Sequence, residues 1–216
     1  TDGYEGTGAG FVHRLLPQLR NRPNNLKELA LVEPVRWHSG DKLEDLLDSS
    51  LRIADENLDL RPITETDSDA YELIDGYTLS KKPNTLRQIF NLLKQAHYQT
   101  TPHDFVRLID ARDSFVLIAH IEQTIVGVAA IIEEGNASLA EIANDIARGS
   151  RRPNGHISLQ MCSYQTTAAE FSYLRAWRIN RIAVAQTCRR NGIASGLLNT
   201  LASSATANQI NVLTTV

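Results

Sequence analysis

Three consecutive segments decide how this chain folds: Trp177-Arg178-Ile179-Asn180-Arg181-Ile182-Ala183-Val184-Ala185, then Gln186-Thr187-Cys188-Arg189-Arg190-Asn191-Gly192, then Ile193-Ala194-Ser195-Gly196-Leu197-Leu198. Apolar, β-branched residues at Ile179, Ile182 and Val184 predict a strand over 177–185. Ile193, Leu197, Leu198 and Leu201 form the stripe of a helix ending near Ser204. Between them Arg189, Gly192 and Ala194 spell Arg-x-x-Gly-x-Ala. Glycine permits the backbone turn, and small residues at 194–196 leave the first helical amides open. Such amides, with the field of the helix, suit a pyrophosphate. Arg189 and Arg190 add charge-assisted contacts to the same anion. The strand carries no Gly-x-Gly, so this is not a dinucleotide fingerprint. The competing reading is an ordinary strand–loop–helix with basic residues that serve solubility.

Charge is distributed in the same sense. The chain of 216 residues has 22 basic and 25 acidic side chains, a formal −3. Residues 171–216 contain no Asp or Glu but hold Arg175, Arg178, Arg181, Arg189 and Arg190, so +5 sits in that stretch and −8 in the remainder. A weakly acidic total thus covers a local anion-facing region, less whatever the arginines spend on acids elsewhere. Hydrophobic residues at 42% and charged residues at 22% exclude wholesale disorder, collagen-like repeats and a long coiled coil. Two cysteines, Cys162 and Cys188, make no disulfide framework and no zinc pattern, so no metal site is expected and a reducing, cytoplasmic setting fits. The longest apolar runs, such as Ile125–Ile132, are too short to span a bilayer. The first residue is Thr and no signal peptide is visible, so a fragment or processed product is expected.

Outward from the decisive segment, local signals predict a compact α/β pattern from residue 57. Leu58–Pro62 is expected as a strand and Asp67–Ile74 as a short helix. Pro83–His97 is expected as a longer helix with Leu86, Ile89, Phe90 and Leu93 on one face. Thr101, Pro102 and Asp104 start another that runs to about Asp110. Ser114–His120 and Ile125–Ile132 form a hairpin. Leu139–Ala147 and Ala168–Leu174 are helical, Arg151–His156 is a polar turn, and Ile210–Val216 begins a further strand. Upstream, four glycines in Gly3–Gly10 make a tight loop without a Walker A ending. Phe11–Leu19 has helical spacing broken by Pro17, and Leu29–Val32 is a short strand candidate. Asp41 caps an amphipathic helix carrying Leu43, Leu46, Leu47 and Leu51.

The Arg-x-x-Gly-x-Ala loop after its strand resembles the acetyl-CoA pyrophosphate loop of the GCN5-related N-acetyltransferase (GNAT) superfamily. More narrowly, the chain resembles the tRNA(Met) cytidine acetyltransferase family. The stretches that carry this are Gly3-Tyr4-Glu5-Gly6-Thr7-Gly8, Glu33-Pro34-Val35-Arg36-Trp37, Ala96-His97-Tyr98-Gln99-Thr100-Thr101-Pro102, Arg151-Arg152-Pro153-Asn154-Gly155-His156 and Arg181-Ile182-Ala183-Val184. They occur in order over about 200 residues. One position departs: Ala9 stands where the resemblance leads one to expect Arg.

The resemblance implies an α/β GNAT fold, a mixed sheet flanked by helices and truncated at its C-terminal side. Residues 1–35 would be the end of a helicase-like ATPase module, 36–56 a linker helix, and 57–216 an incomplete acetyl-CoA-binding domain. The implied reaction is N4-acetylation of cytidine at the first anticodon position of elongator tRNA(Met). Acetyl-CoA is the donor, and ATP or GTP with Mg2+ is used in the upstream module. The implied partners are that tRNA and, within the longer protein, the ATPase and tRNA-binding regions, with no membrane. Ile182, Ala183 and Val184 resemble the strand whose backbone pairs with pantetheine amides. Arg189, Arg190, Asn191, Gly192, Ile193, Ala194 and Ser195 resemble the pyrophosphate loop.

Amine acetylation needs a positioned amine, a donor for the developing oxyanion and a base. His97 and His156 are base candidates because imidazole titrates near neutral pH, and Glu134, beside Glu133 at the end of a hairpin strand, is a third. Arg151 and Arg152 are candidate phosphate contacts for RNA. Tyr98 and Trp177 are candidate base-stacking rings, although such rings are more often core. Cys188 reads as loop filler, with acetyl transfer expected to be direct. Two other functions compete: a GNAT enzyme acting on a protein or small-molecule amine, and a non-catalytic module that binds CoA or RNA.

Overall fold

The structure is a computed structural model that describes residues 70–96, 102–135 and 137–215, with 16–21 and a few positions between 27 and 46. Expectations for Gly3–Gly10, Leu58–Pro62, His97, Tyr98 and most of the linker lie outside the described residues. Within that upstream part, helix α1 (Leu16–Arg20) falls in the expected helical stretch. Asp41 caps as expected, its carboxylate accepting from the Leu43 amide at 2.8 Å.

Five strands make one mixed sheet in sequential order. They are β1 (Ala70–Asp75), β2 (Ser114–Ile121), β3 (Thr124–Glu134), β4 (Ala176–Val184) and β5 (Val212–Thr215). The first four run antiparallel to their neighbours, and β5 runs parallel to β4. The parallel step needs a crossover, supplied by a long helix between β4 and β5. Other helices are α2 (Gly76–Ser80), α3 (Pro83–Ala96), α4 (Pro102–Asp110), α5 (Ala137–Glu141), α6 (Ala143–Ala147), α7 (Ile157–Thr166) and the crossover helix α8 (Ile193–Ala207).

β3 is the spine. Residues 125–132 are buried without interruption, so both faces of the sheet are covered there. Gly127 is where α8 sits down: a Cβ on it would stand 2.7 Å from the Ile193 side chain. Leu197 and Leu201 follow into the same core. α3 packs against β3 and β4 with Leu86, Ile89, Phe90 and Leu93, the expected face. Gly127→Ala is expected to lower stability by about 1–3 kcal/mol, the cost of overpacking a filled seat, read as the urea midpoint. An unchanged midpoint would mean that α8 slides freely on β3.

The expected hairpin is present as β2 and β3. The expected helix over Asp67–Ile74 is not: Ala70–Asp75 is a strand. Pairing along β2 and burial of Ile74 outweigh the helix-favouring composition of this short stretch. Asp75 instead ends the strand and caps α2, accepting from the Thr78 amide at 2.6 Å. That bond holds its carboxyl below the ordinary carboxylate value. The single helix expected over Leu139–Ala147 is broken at Ile142 into α5 and α6, and Ala169–Tyr173 is a 3-10 turn. Helix α7 follows the polar turn with no advance signal, since its residues carry almost no helical stripe. Among the described residues no helix is long and apolar enough to cross a membrane.

Candidate functional site

β4 pairs with β5 only from Ala176 to Ile179. At that point its pairing with β3 shifts register: Ile131 faces Ile179 and Ala130 faces Arg181, leaving Asn180 as an extra residue. Such a bulge bends and twists a strand. Beyond it, backbone alternation fixes which edge each residue addresses. The Ala185 amide donates to the Val126 carbonyl on β3 at 2.8 Å, so Ala183 faces β3 as well. Ile182 and Val184 therefore direct their backbone groups to the other edge. The Val184 carbonyl accepts there from Arg189 Nε at 3.3 Å. Ile182 and Val184 lie on the edge that a strand-like ligand would use, whereas Ala183 is committed to β3.

The loop is tightly shaped. A 3-10 turn, Gln186–Cys188, drops Cys188 into the core, 1% exposed. Arg190 takes φ +67°, a left-handed conformation that costs a non-glycine residue about 1–2 kcal/mol. Gly192 takes φ +79° and stands as the N-cap of α8 without a side chain to cap it. The first helical bond is from the Gly196 amide to the Gly192 carbonyl, 2.8 Å. The amides of Ile193, Ala194 and Ser195 precede it and have no helical acceptor. A Cβ on Gly192 would meet nothing within 4 Å, so the approach to these amides is open. Arg189, Arg190, Asn191, Ala194 and Ser195 are exposed around it. This donor set fits a diphosphate: helix amides at the centre, guanidinium groups beside them and space in front.

The five arginines of the acid-free stretch divide into two groups. Arg175 grips Glu133 through Nη2 at 2.6 Å and Nε at 3.1 Å. Arg178 is buried on Glu134 at 2.5 Å. Arg181 pairs with Asp104 of α4 at 3.1 Å. Arg189 and Arg190 form no ion pair among the described residues. The anion-facing charge thus contracts from five groups to the two in the loop.

Glu134, expected as a base candidate, is 0% exposed. One oxygen holds Arg178; the other accepts from the Ser158 amide at 2.9 Å and the Leu159 amide at 3.3 Å. This arrangement caps α7 from β3, and Arg178 passes the link on to Asn180 at the bulge, 3.1 Å. A base must come within hydrogen-bond reach of the proton it takes; a buried carboxylate engaged at both oxygens fits an anchor instead. Glu133 is likewise spent on Arg175 and on Trp177 Nε1 at 3.2 Å.

His156 is the left-handed N-cap residue of α7, φ +52°. Its Nδ1 accepts from the Gly135 amide at 3.0 Å. An amide only donates, so the neutral ring carries its proton on Nε2. His156 therefore offers a hydrogen-bond donor. It sits by the β3 end where β4 begins, and the Arg189–Ser195 loop sits at the other end of β4. Arg151 and Arg152 are exposed, and the turn that holds them is pinned by Gln160 Nε2 on the Pro153 carbonyl at 2.8 Å. Trp177 is core, 3% exposed and 6.0 Å from the Phe115 ring, so it is no stacking platform. Sequence reasoning missed Gly127 of β3, which receives Ile193 of α8, and Gly196 of α8, which lies against the Tyr71 hydroxyl; their only local signal is a glycine inside an element.

The family model for GNAT acetyltransferase 2 matches residues 88–214. The model for RNA cytidine acetyltransferase NAT10/TcmA, helicase domain, matches residues 1–54. The tRNA(Met) cytidine acetyltransferase TmcA of Photorhabdus asymbiotica is 34% identical over 199 residues, covering 91% of this chain and 28% of that protein. The one from Pectobacterium atrosepticum is 35% identical over 210 residues, with the same coverage of 91% and 28%. The chain thus spans less than a third of the length of these curated relatives. Among solved structures, the aminoglycoside N-acetyltransferase AAC(6')-Iy in complex with CoA aligns with TM-score 0.43 and 13% identity, over 68% of this chain and 75% of that one.

Proposed function

Because the chain belongs to the GNAT acetyltransferase 2 family, we propose that it is the acetyl-CoA-binding part of an enzyme that acetylates N4 of cytidine in the anticodon of elongator tRNA(Met). The observation that carries the donor side is the loop where Arg189 and Arg190 keep their charge beside the uncapped amides of α8. The acceptor side rests on the relatives, whose names specify tRNA(Met) cytidine, and on the helicase-domain match at 1–54. ATP or GTP with Mg2+ belongs to the upstream module in this reading, and the tRNA is bound jointly with regions of the longer protein.

Bound acetyl-CoA supplies an activated acetyl thioester. The residues of this chain do the rest. Arg189, Arg190, Asn191 and the Gly192–Ser195 turn hold the diphosphate. Ile182 and Val184 offer their backbone on the β4 edge, and Ala183 keeps that edge in register with β3. Arg151 contacts an RNA phosphate, and Arg152 contacts the RNA beside it. Cytosine N4 is a poor nucleophile, because its lone pair is delocalised into the ring, so proton removal has to accompany or follow attack. His97 remains the candidate for that step. His156 acts as a donor through Nε2, stabilising negative charge on oxygen or orienting the cytosine. Glu134 holds Arg178 and α7 in place and is a positioning residue.

The test uses the full-length protein with unmodified tRNA, labelled acetyl-CoA and ATP, followed by nuclease digestion. Acetylated cytidine is the expected product, reduced at least about a hundredfold by His97→Ala if that residue is the base. Label on protein with none on RNA would move the chain to the protein-acetylating reading.

A further inference from the structure

A second site is built on the other side of α7, away from its capped N-terminus. α6, α7 and the following 3-10 turn enclose a groove of about 620 Å³, within the range of small-ligand sites. Its walls include Asn144 and Arg148 from the α6 side and Tyr164, Gln165 and Thr167 from the end of α7. Tyr164 is 46% exposed, although it is a large ring. It is nonetheless fixed: Gly149 lies against its edge, where an added Cβ would stand 2.6 Å from Cε2. The Arg152 guanidinium lies over the ring at 5.2 Å from its centroid. Arg148, Arg151 and Arg152 are all exposed, and none forms an ion pair among the described residues. The Arg148 cation, a half-exposed ring with the Arg152 guanidinium over it, and two amide side chains therefore share one concave surface.

Each component matches one part of a nucleotide. The ring and the guanidinium over it stack with a base of any identity. The amides of Asn144 and Gln165 each offer donors and an acceptor to base edges. Arg148 meets a phosphate beside the stacked base. A protein segment rich in acids would use the arginines but would leave the Tyr164–Arg152 platform without a role. We propose that this groove is a binding site for a single-stranded RNA segment, with one base stacked on the Tyr164–Arg152 pair and a neighbouring phosphate on Arg148. The choice of RNA rests on the proposed function; the groove and its chemistry do not.

The experiment is fluorescence anisotropy of a labelled single-stranded oligoribonucleotide of about ten residues with the full chain, repeated across salt concentrations. Tyr164→Ala is expected to weaken binding about tenfold, within the range for loss of one stacked base, and Tyr164→Phe to stay within about threefold of the parent. Arg148→Ala is expected to lower the slope of log affinity against log salt by about 0.7, one phosphate contact on a single strand. Circular dichroism verifies that each variant is folded, and Arg148 is exposed enough for its variant to serve if Tyr164→Ala unfolds. Binding by all variants equal to the parent, or no binding by the parent, overturns the proposal. So does displacement of the oligonucleotide by polyglutamate at equal charge concentration, which would assign the groove to an acidic protein segment. Titration of acetyl-CoA into the same proteins separates this site from the enzyme reading. If acetyl-CoA binding depends on Arg189 while RNA binding ignores Tyr164, only the groove fails. If RNA binding depends on Tyr164 and acetyl-CoA does not bind, the groove stands and the acetyltransferase reading fails.

Discussion

Gly192→Glu is expected to abolish measurable acetyl-CoA binding in isothermal titration calorimetry, a loss of at least about a hundredfold. Two effects act together. The Gly192 backbone sits at φ +79°, where a side-chain-bearing residue is strained by about 1–3 kcal/mol. More important for the ligand, the new carboxylate enters the open space in front of the Ile193, Ala194 and Ser195 amides. In the proposed site it would occupy the amide donors and repel the diphosphate. Two like charges about 4 Å apart near a protein surface cost about 4 kcal/mol, which sets the hundredfold as a lower bound. Arg189→Ala and Arg190→Ala each remove one cation without changing the backbone and are expected to cost about tenfold. Arg175→Ala removes an arginine from the same acid-free stretch, but one already bound to Glu133, and leaves acetyl-CoA affinity unchanged. If Gly192→Glu binds like the parent, or if Arg175→Ala weakens binding as much as Arg189→Ala, the loop is not the pyrophosphate site.

Glu134→Ala is expected to lower the free energy of unfolding by about 3–5 kcal/mol, the usual cost of stranding one member of a buried ion pair. The loss is large because Glu134 serves three donors. Without it the Arg178 guanidinium, 5% exposed, keeps its charge with no acid opposite, and the Ser158 and Leu159 amides lose their acceptor. Glu134→Gln keeps the shape and one acceptor and is expected to cost about 1–3 kcal/mol. Urea unfolding followed by circular dichroism gives both values. The pair also separates anchor from base. A general base contributes about a hundredfold to ten-thousandfold in rate, so Glu134→Gln would be folded but nearly inactive if the carboxylate took the proton. As an anchor it stays within about tenfold of the parent per folded molecule. Replacing both partners, Glu134→Leu with Arg178→Met, should cost less than the sum of the single changes. Full additivity would mean that the two side chains do not act as a pair.

Much of this chain was readable from local rules. The 83–96 and 102–110 helices, the 114–134 hairpin and the strand–loop–helix ending at α8 each carry their own signals: a stripe, a cap, an alternation, a glycine. The Ala70–Asp75 strand was misread as helix because six residues are too few for a period to declare itself, and neighbouring β2 decided the outcome. α7 was not foreseen because its faces are nearly alike in polarity; its position is fixed instead by Glu134, 25 residues away from Leu159 in sequence.

The sequence by itself determined the candidate anion loop: Gly192 can adopt a left-handed turn, Ala194 and Ser195 cover little of their own amides, and two arginines adjoin them. These are properties of neighbouring residues, so no distant part of the chain is needed to see them. Only the tertiary structure decided which charges remain available. Arg175, Arg178 and Arg181 look no different in sequence from Arg189 and Arg190, yet the β3–β4 register sets the first two beside Glu133 and Glu134, and the packing of α4 brings Asp104 to the third. An ion pair depends on where two side chains stand in space. Residues 42 and 44 positions apart meet here because of strand register, and no local pattern records that.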